Sequence, residues 1–194
     1  MIASRAALSE FCAASAANLH AVCTCLVANL KACQGRDRVV VPTLEVVAFL
    51  FHVGLFQRCG GVDLRQLCLR VQTAAYKTGN VRKLEACVRV YGCIAALGQV
   101  DPGSDGDTSK GEQALGAPDG SEGNSNRAEG IAEARKRLGA LLFHPWPRVR
   151  TFVVDELWGL LADREEVATK LTGVDWGKAE KGTVKAMIGE LGLA

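Results

Sequence analysis

The sequence predicts an all-α protein, a stack of antiparallel helical hairpins with about seven helices, and three observations carry that expectation. Apolar residues recur at helical spacing in one segment after another, most clearly at 149, 152, 153, 157, 160 and 161. Two tight corners interrupt those runs, Lys77-Thr78-Gly79-Asn80 and His144-Pro145-Trp146-Pro147. Each is followed by a helix carrying Val-Arg near its start, Val81-Arg82 and Val149-Arg150. The side-chain vocabulary is Ala, Leu and Val, and only 6% of residues are aromatic, which suits helix-on-helix packing better than a β-sandwich. Helix, corner, helix, repeated along the chain, is the pattern of an α-solenoid of HEAT/armadillo-like hairpins.

Taken in order, residues 3–33 read as one long helix or a helix with a break, with Phe11, Cys12, Leu19, Cys23, Leu26 and Leu30 at helical spacing. Gln34-Gly35-Arg36-Asp37 supplies its stop, Gly35 being suited to a C-terminal cap. Val39-Val40-Val41 is short and β-prone, and the second helix is expected to open at Pro42 and run to about Gly60-Gly61. A third helix covers about 62–77. A fourth runs from Asn80, a good N-cap, to about Leu97.

Residues 99–126 break the pattern with six glycines, two prolines, six acids and one lysine. So little apolar surface cannot offset the entropy of ordering, and a disordered linker is expected there. Its local charge is −5, which leaves +7 on the rest of a chain whose net charge is +2. The domain reading is therefore helical hairpins over 1–98, the acidic linker over 99–126, and the remaining helices of the same domain over 127–194. A fifth helix is expected at 127–143, a sixth at 148–162 with Pro147 in its first turn, a short one at 163–171, and a last one capped by Asp175.

Several function classes find no support. No run reaches eighteen apolar residues, so no membrane span is expected. Glu10, Asn18 and His20 interrupt the Ala-rich start, which reads as a helix of the fold and not as a targeting peptide. The eight cysteines form no CxxC pair, and Cys23 and Cys25 point to different sides of a helix. They read as core thiols in a reducing compartment, not as zinc ligands or disulfides. His20, His52 and His144 stand far apart, with no Walker A, GxGxxG or GxSxG motif, so neither an enzyme nor a cofactor is expected. His144 is expected to cap backbone carbonyls. The basic residues are spread over several helices, which argues against nucleic acid. The three tryptophans read first as packing anchors, with Trp146 the one placed to touch a partner.

Val41-Pro42-Thr43-Leu44-Glu45, Gly54-Leu55-Phe56, Val81-Arg82-Lys83-Leu84, the stretch Leu142 to Arg150 and Asp175-Trp176, in that order, resemble the C-terminal region of tubulin-folding cofactor D. The similarity spans roughly 38–98 and 127–192, and its most specific piece is the His-Pro-x-Pro-x-Val-Arg corner. The resemblance implies a non-catalytic module that captures β-tubulin and joins cofactors E and C in assembly of the α/β dimer. It also implies binding of an Arf-like small GTPase, promotion of tubulin GTP hydrolysis, and a place in the cytoplasm on the microtubule cytoskeleton. Family members are far longer, with many more HEAT repeats ahead of this region, which leaves a truncated chain, a split gene and a stand-alone paralogue as alternatives. The residues alone, without the resemblance, favour a generic HEAT scaffold with another client. Tubulin is acidic, so the expected contacts are the cations flanking the two corners, Arg82, Lys83, Arg135, Lys136, Arg148 and Arg150, together with Trp146. As a structural alternative, those arginines pack along their stems and stabilise the hairpins.

Overall fold

The computed structural model describes residues 2–75, 78–99, 120–161 and 164–193. Among them are nine α-helices and no strand: α1 (Ile2–Ala14), α2 (Ala16–Ala32), α3 (Asp37–His52), α4 (Leu64–Ala75), α5 (Val81–Ala96), α6 (Gly120–Leu141), α7 (Pro147–Gly159), α8 (Glu165–Gly173) and α9 (Lys181–Leu191). A single 3₁₀ turn, Phe56–Arg58, lies between α3 and α4.

The helices alternate between two layers. α2, α4 and α6 pack side by side in one, and α3, α5 and α7 in the other, so α2/α3, α4/α5 and α6/α7 are successive hairpins of a short solenoid. α1 lies on α2, and α8 with α9 continues the stack beyond α7. Leu44, Leu67, Ile94, Leu138 and Leu157 are fully buried between the layers. Phe51 stacks on Phe56 with ring centroids 4.5 Å apart, fastening the 3₁₀ turn to α3. The buried Tyr91 hydroxyl donates to the Cys68 carbonyl at 3.3 Å, joining α5 to α4.

Several boundaries depart from the sequence reading, each for a local reason. Of the two forms expected over 3–33, the broken one is found: the break is at Ser15, whose extended backbone and hydroxyl cap α2 by accepting from Asn18 N–H at 3.1 Å. Val39-Val40-Val41 is helical. The N–H groups of Val39 and Val40 bond the Arg36 carbonyl, and burial of Val40 and Val41 outweighs their β preference. Pro42 therefore lies inside α3, not at its start. α3 ends at His52, where Gly54 takes φ +76 and Leu55 N–H reaches back to the Leu50 carbonyl at 2.9 Å. Asp175 does not cap the last helix. Its carboxylate accepts from Gly177 N–H at 2.9 Å in a tight turn, and α9 begins six residues later at Lys181.

Most of the expected disordered linker falls on residues 100–119, which lie outside the described residues. Its last seven residues do not behave as linker, because α6 opens at Gly120. Within that turn Asn126 accepts from Leu64 N–H at 3.0 Å and donates to the Val62 carbonyl at 3.1 Å. Arg127 donates to the Leu97 carbonyl at 2.8 Å. Contacts with the ends of α4 and α5 thus hold a stretch whose own composition disfavours helix.

The eight cysteines are free; five are buried, Cys33 and Cys93 are half-buried, and Cys25 is exposed, on the opposite side of α2 from Cys23. Burial pushes the Cys68 and Cys87 thiols up to about 12, so they behave as inert core side chains. Trp176 is buried and donates to the Leu171 carbonyl at 2.8 Å, as an anchor should. Trp158 is no anchor: it is 58% exposed, off the α7 stripe formed by Val149, Val153 and Leu157.

Gly130 marks the closest approach of α6 to α4. A Cβ there would overlap the Leu64 Cβ and lie 3.3 Å from its backbone carbonyl carbon, atoms that cannot swing away. Gly130→Ala gains roughly 1 kcal/mol of helix propensity but forces the two helices apart, at about 1–3 kcal/mol for overpacking. The expected outcome is a melting temperature several degrees below wild type in a thermal scan; an equal or higher value would show that the layers tolerate separation.

Candidate partner-binding groove

The two corners are built differently. At the first, Thr78 Oγ1 accepts from Asn80 N–H at 3.1 Å, and Asn80 Oδ1 accepts from Lys83 N–H at 3.3 Å, capping α5. The Asn80 amide donates to Asp37 at 2.7 Å, and Lys83 Nζ donates to the other oxygen of the same carboxylate at 2.6 Å. The hydrogen bond from Lys83, then that from Asn80, holds the Asp37 carboxyl below the usual carboxylate range. At the second corner Pro147 occupies the first turn of α7, and His144 Nδ1 accepts from Trp146 N–H at 3.2 Å. The imidazole thus caps an amide, not the carbonyls expected of it. The Trp146 ring meets it edge-on at 5.0 Å. Burial and then the neighbouring Arg150 hold His144 below the usual histidine range, favouring the neutral ring that can accept this bond.

Counting from each helix start explains where the arginines go. Arg82 and Arg148 are each the second residue of their helix, and both reach back to the preceding helix of the same layer. Arg82 pairs with Glu45 of α3 at 3.0 Å, and Arg148 pairs with Glu85 of α5 at 3.2 Å. The carboxylates are largely covered, at 19% and 15% exposure, while the guanidiniums stand 69% and 71% exposed. By its Val-Arg pair the sequence matches Arg150 to Arg82. In the fold Arg150 is the fourth residue of α7, and it turns inward to donate to the Gly177 carbonyl at 3.0 Å.

Arg82 and Arg148, 66 positions apart, line one open cavity of about 840 Å³ on the α3/α5/α7 layer. Arg89, on the next turns of α5, joins them; the sequence reading missed it, because a single arginine within a helix, away from either corner, gives no signal of its own. Three guanidiniums therefore face two carboxylates across this groove, and each paired arginine keeps N–H groups beyond its single contact. The remaining expected contact residues are elsewhere. Lys83 is buried on Asp37 and unavailable to a partner. Arg135 and Lys136 belong to α6 in the other layer, and Trp146 is half-buried at its corner, outside the groove lining. Among the described residues no group of three or more His, Cys, Asp or Glu is arranged to hold a metal ion. No helix among them is long and apolar enough to cross a membrane.

Residues 1–83 match the family model described as tubulin folding cofactor D C terminal. The match covers 83 of the 194 residues. The cofactor D match takes in α1 and α2, which the motif resemblance had left out, and continues through α3 and α4 to the first corner. It includes Glu45 and Arg82 and ends at Lys83, so Arg89 and the His144–Arg150 corner lie beyond it. No curated protein and no solved structure matches the chain.

Proposed function

We propose that the chain is a non-catalytic, protein-binding module of the tubulin-folding machinery, and that the α3/α5/α7 groove is where it holds its partner. The observation that carries this reading is the meeting of Arg82, Arg89 and Arg148 around one cavity, on a hairpin stack whose first part matches the cofactor D C-terminal model. A layer of stacked helices carrying an open cavity with surplus guanidinium donors suits an acidic protein surface. β-Tubulin is the partner that the family points to. Cofactors E and C and an Arf-like GTPase are the further partners the reading includes, with promotion of tubulin GTP hydrolysis as the joint outcome, in the cytoplasm and at the microtubule cytoskeleton.

The second reading is a hairpin scaffold with a different client, and one observation favours it: two of the three groove arginines lie beyond the family match. Equilibrium binding to purified α/β-tubulin at low and moderate salt separates the two. On the tubulin reading, binding weakens as salt screens the groove over about 8–10 Å. Arg89→Glu with Arg148→Glu then lowers affinity by about tenfold or more, while Lys185→Glu on α9 leaves it within about twofold. A folded chain that binds no tubulin at low salt leaves only the scaffold.

A further inference from the structure

The groove continues past Arg89 into a second cavity of about 290 Å³, lined by Arg5, Glu45, Phe49, His52, Arg89 and Glu156 among others. Arg5 comes from α1 and places its guanidinium carbon 5.5 Å from the centre of the Phe49 ring. Glu156, from α7, makes no ion pair within 4 Å among the described residues, and its side chain packs against Gly92 where a larger residue would collide with it. An aromatic face that already holds an arginine, in the same cavity as a carboxylate without an ion pair, makes a recognition site for a cation.

We propose that this end of the groove is a binding pocket for an arginine or lysine side chain of a partner protein, and that Arg5 is its built-in competitor. The arginine seated on Phe49 shows which chemistry the pocket accepts. With Arg5 withdrawn, Glu45 keeps its pair with Arg82, and Glu156 is left with Arg89 as its neighbouring cation. The helix bearing Arg5 is lightly held. Of the described α1 side chains only Cys12 is buried, Leu8 is partly covered, and Phe11 is 52% exposed, so α1 moves aside at low cost. Burial holds the Glu156 carboxyl above its usual range, with Asp155 adding to the rise and Arg89 opposing it. An arriving cation reverses that penalty. The groove then reads a partner with two signs, an acidic surface at Arg82 and Arg148 and a basic side chain at Phe49 and Glu156.

The proposal rests on the groove being a partner face, yet its test needs no tubulin. N-acetyl-arginine amide is titrated into the folded chain, with backbone amide shifts at Phe49 and Glu156 as the readout. Arg5→Ala is expected to bind this probe about tenfold more tightly than wild type. Adding Glu156→Gln, or Phe49→Leu, returns affinity to the wild-type level while helicity is kept. N-acetyl-glutamine amide, the neutral counterpart, should not bind any variant. Equal affinity for Arg5→Ala and wild type overturns the competitor role. Undiminished binding in both double variants overturns the pocket. Either result leaves the tubulin measurement at Arg89 and Arg148 standing by itself.

Discussion

Val149→Asp is expected to unfold the chain, while Arg148→Glu, one position away, leaves it folded. Val149 is 1% exposed, the third residue of α7 and turned into the stack. A carboxylate there loses its water, a cost on the order of 4 kcal/mol. That is a large part of the 5–15 kcal/mol that ordinarily holds a domain of this kind together. Arg148 stands in solvent and pairs with Glu85 through one contact, so reversing its charge costs about 1 kcal/mol or less. Urea titrations followed by circular dichroism compare the two. Equal midpoints for Val149→Asp and wild type would place the buried face of α7 on the wrong side.

Lys83→Glu is the second large loss expected, although Lys83 sits beside an exposed arginine in a basic sequence. It is the third residue of α5, the position that Val149 holds in α7, and it is 5% exposed. Its ammonium is tolerated because Asp37, 46 residues earlier, meets it at 2.6 Å. Reversal puts a covered carboxylate beside Asp37, whose side chain is 37% exposed, and the partial access of water holds the cost to about 2–3 kcal/mol. Lys83→Met keeps the packed stem and removes the charge, and should retain most of the stability. Acidity probes the same contact. Because the folded-state pKa of Asp37 is depressed, its contribution is complete above the unfolded value of 3.8 and disappears as pH falls through the folded value. Wild-type urea midpoints should therefore drop below about pH 4, and Asp37→Asn should flatten that part of the curve. A Lys83→Glu chain as stable as wild type would show that the pair is not needed.

What the sequence disclosed and what it hid follow from the range of each interaction. The Asn80 cap, the Pro147 start and the Val149 face were legible because each is fixed by a few neighbouring residues. The expected surface role of Lys83 failed because its partner lies on α3, and no local pattern announces a contact across hairpins. The same distance hid the meeting of Arg82 and Arg148. Each reads as a separate corner arginine, and only stacking α3, α5 and α7 brings both onto one cavity. The early start of α6 was hidden for a related reason. Glycine, serine and asparagine over 120–126 argue against helix, and the bonds from Asn126 to Val62 and Leu64 overrule them.

Amide hydrogen exchange of the chain with and without bound tubulin tests the central claim most directly, since it reports where a partner sits. The account predicts slowed exchange in the first turns of α5 and α7 and along α5 to Arg89, with α4 and α6 unchanged on their outer side. Protection confined to the α2/α4/α6 layer, with the Arg82–Arg89–Arg148 groove exchanging as before, would contradict it.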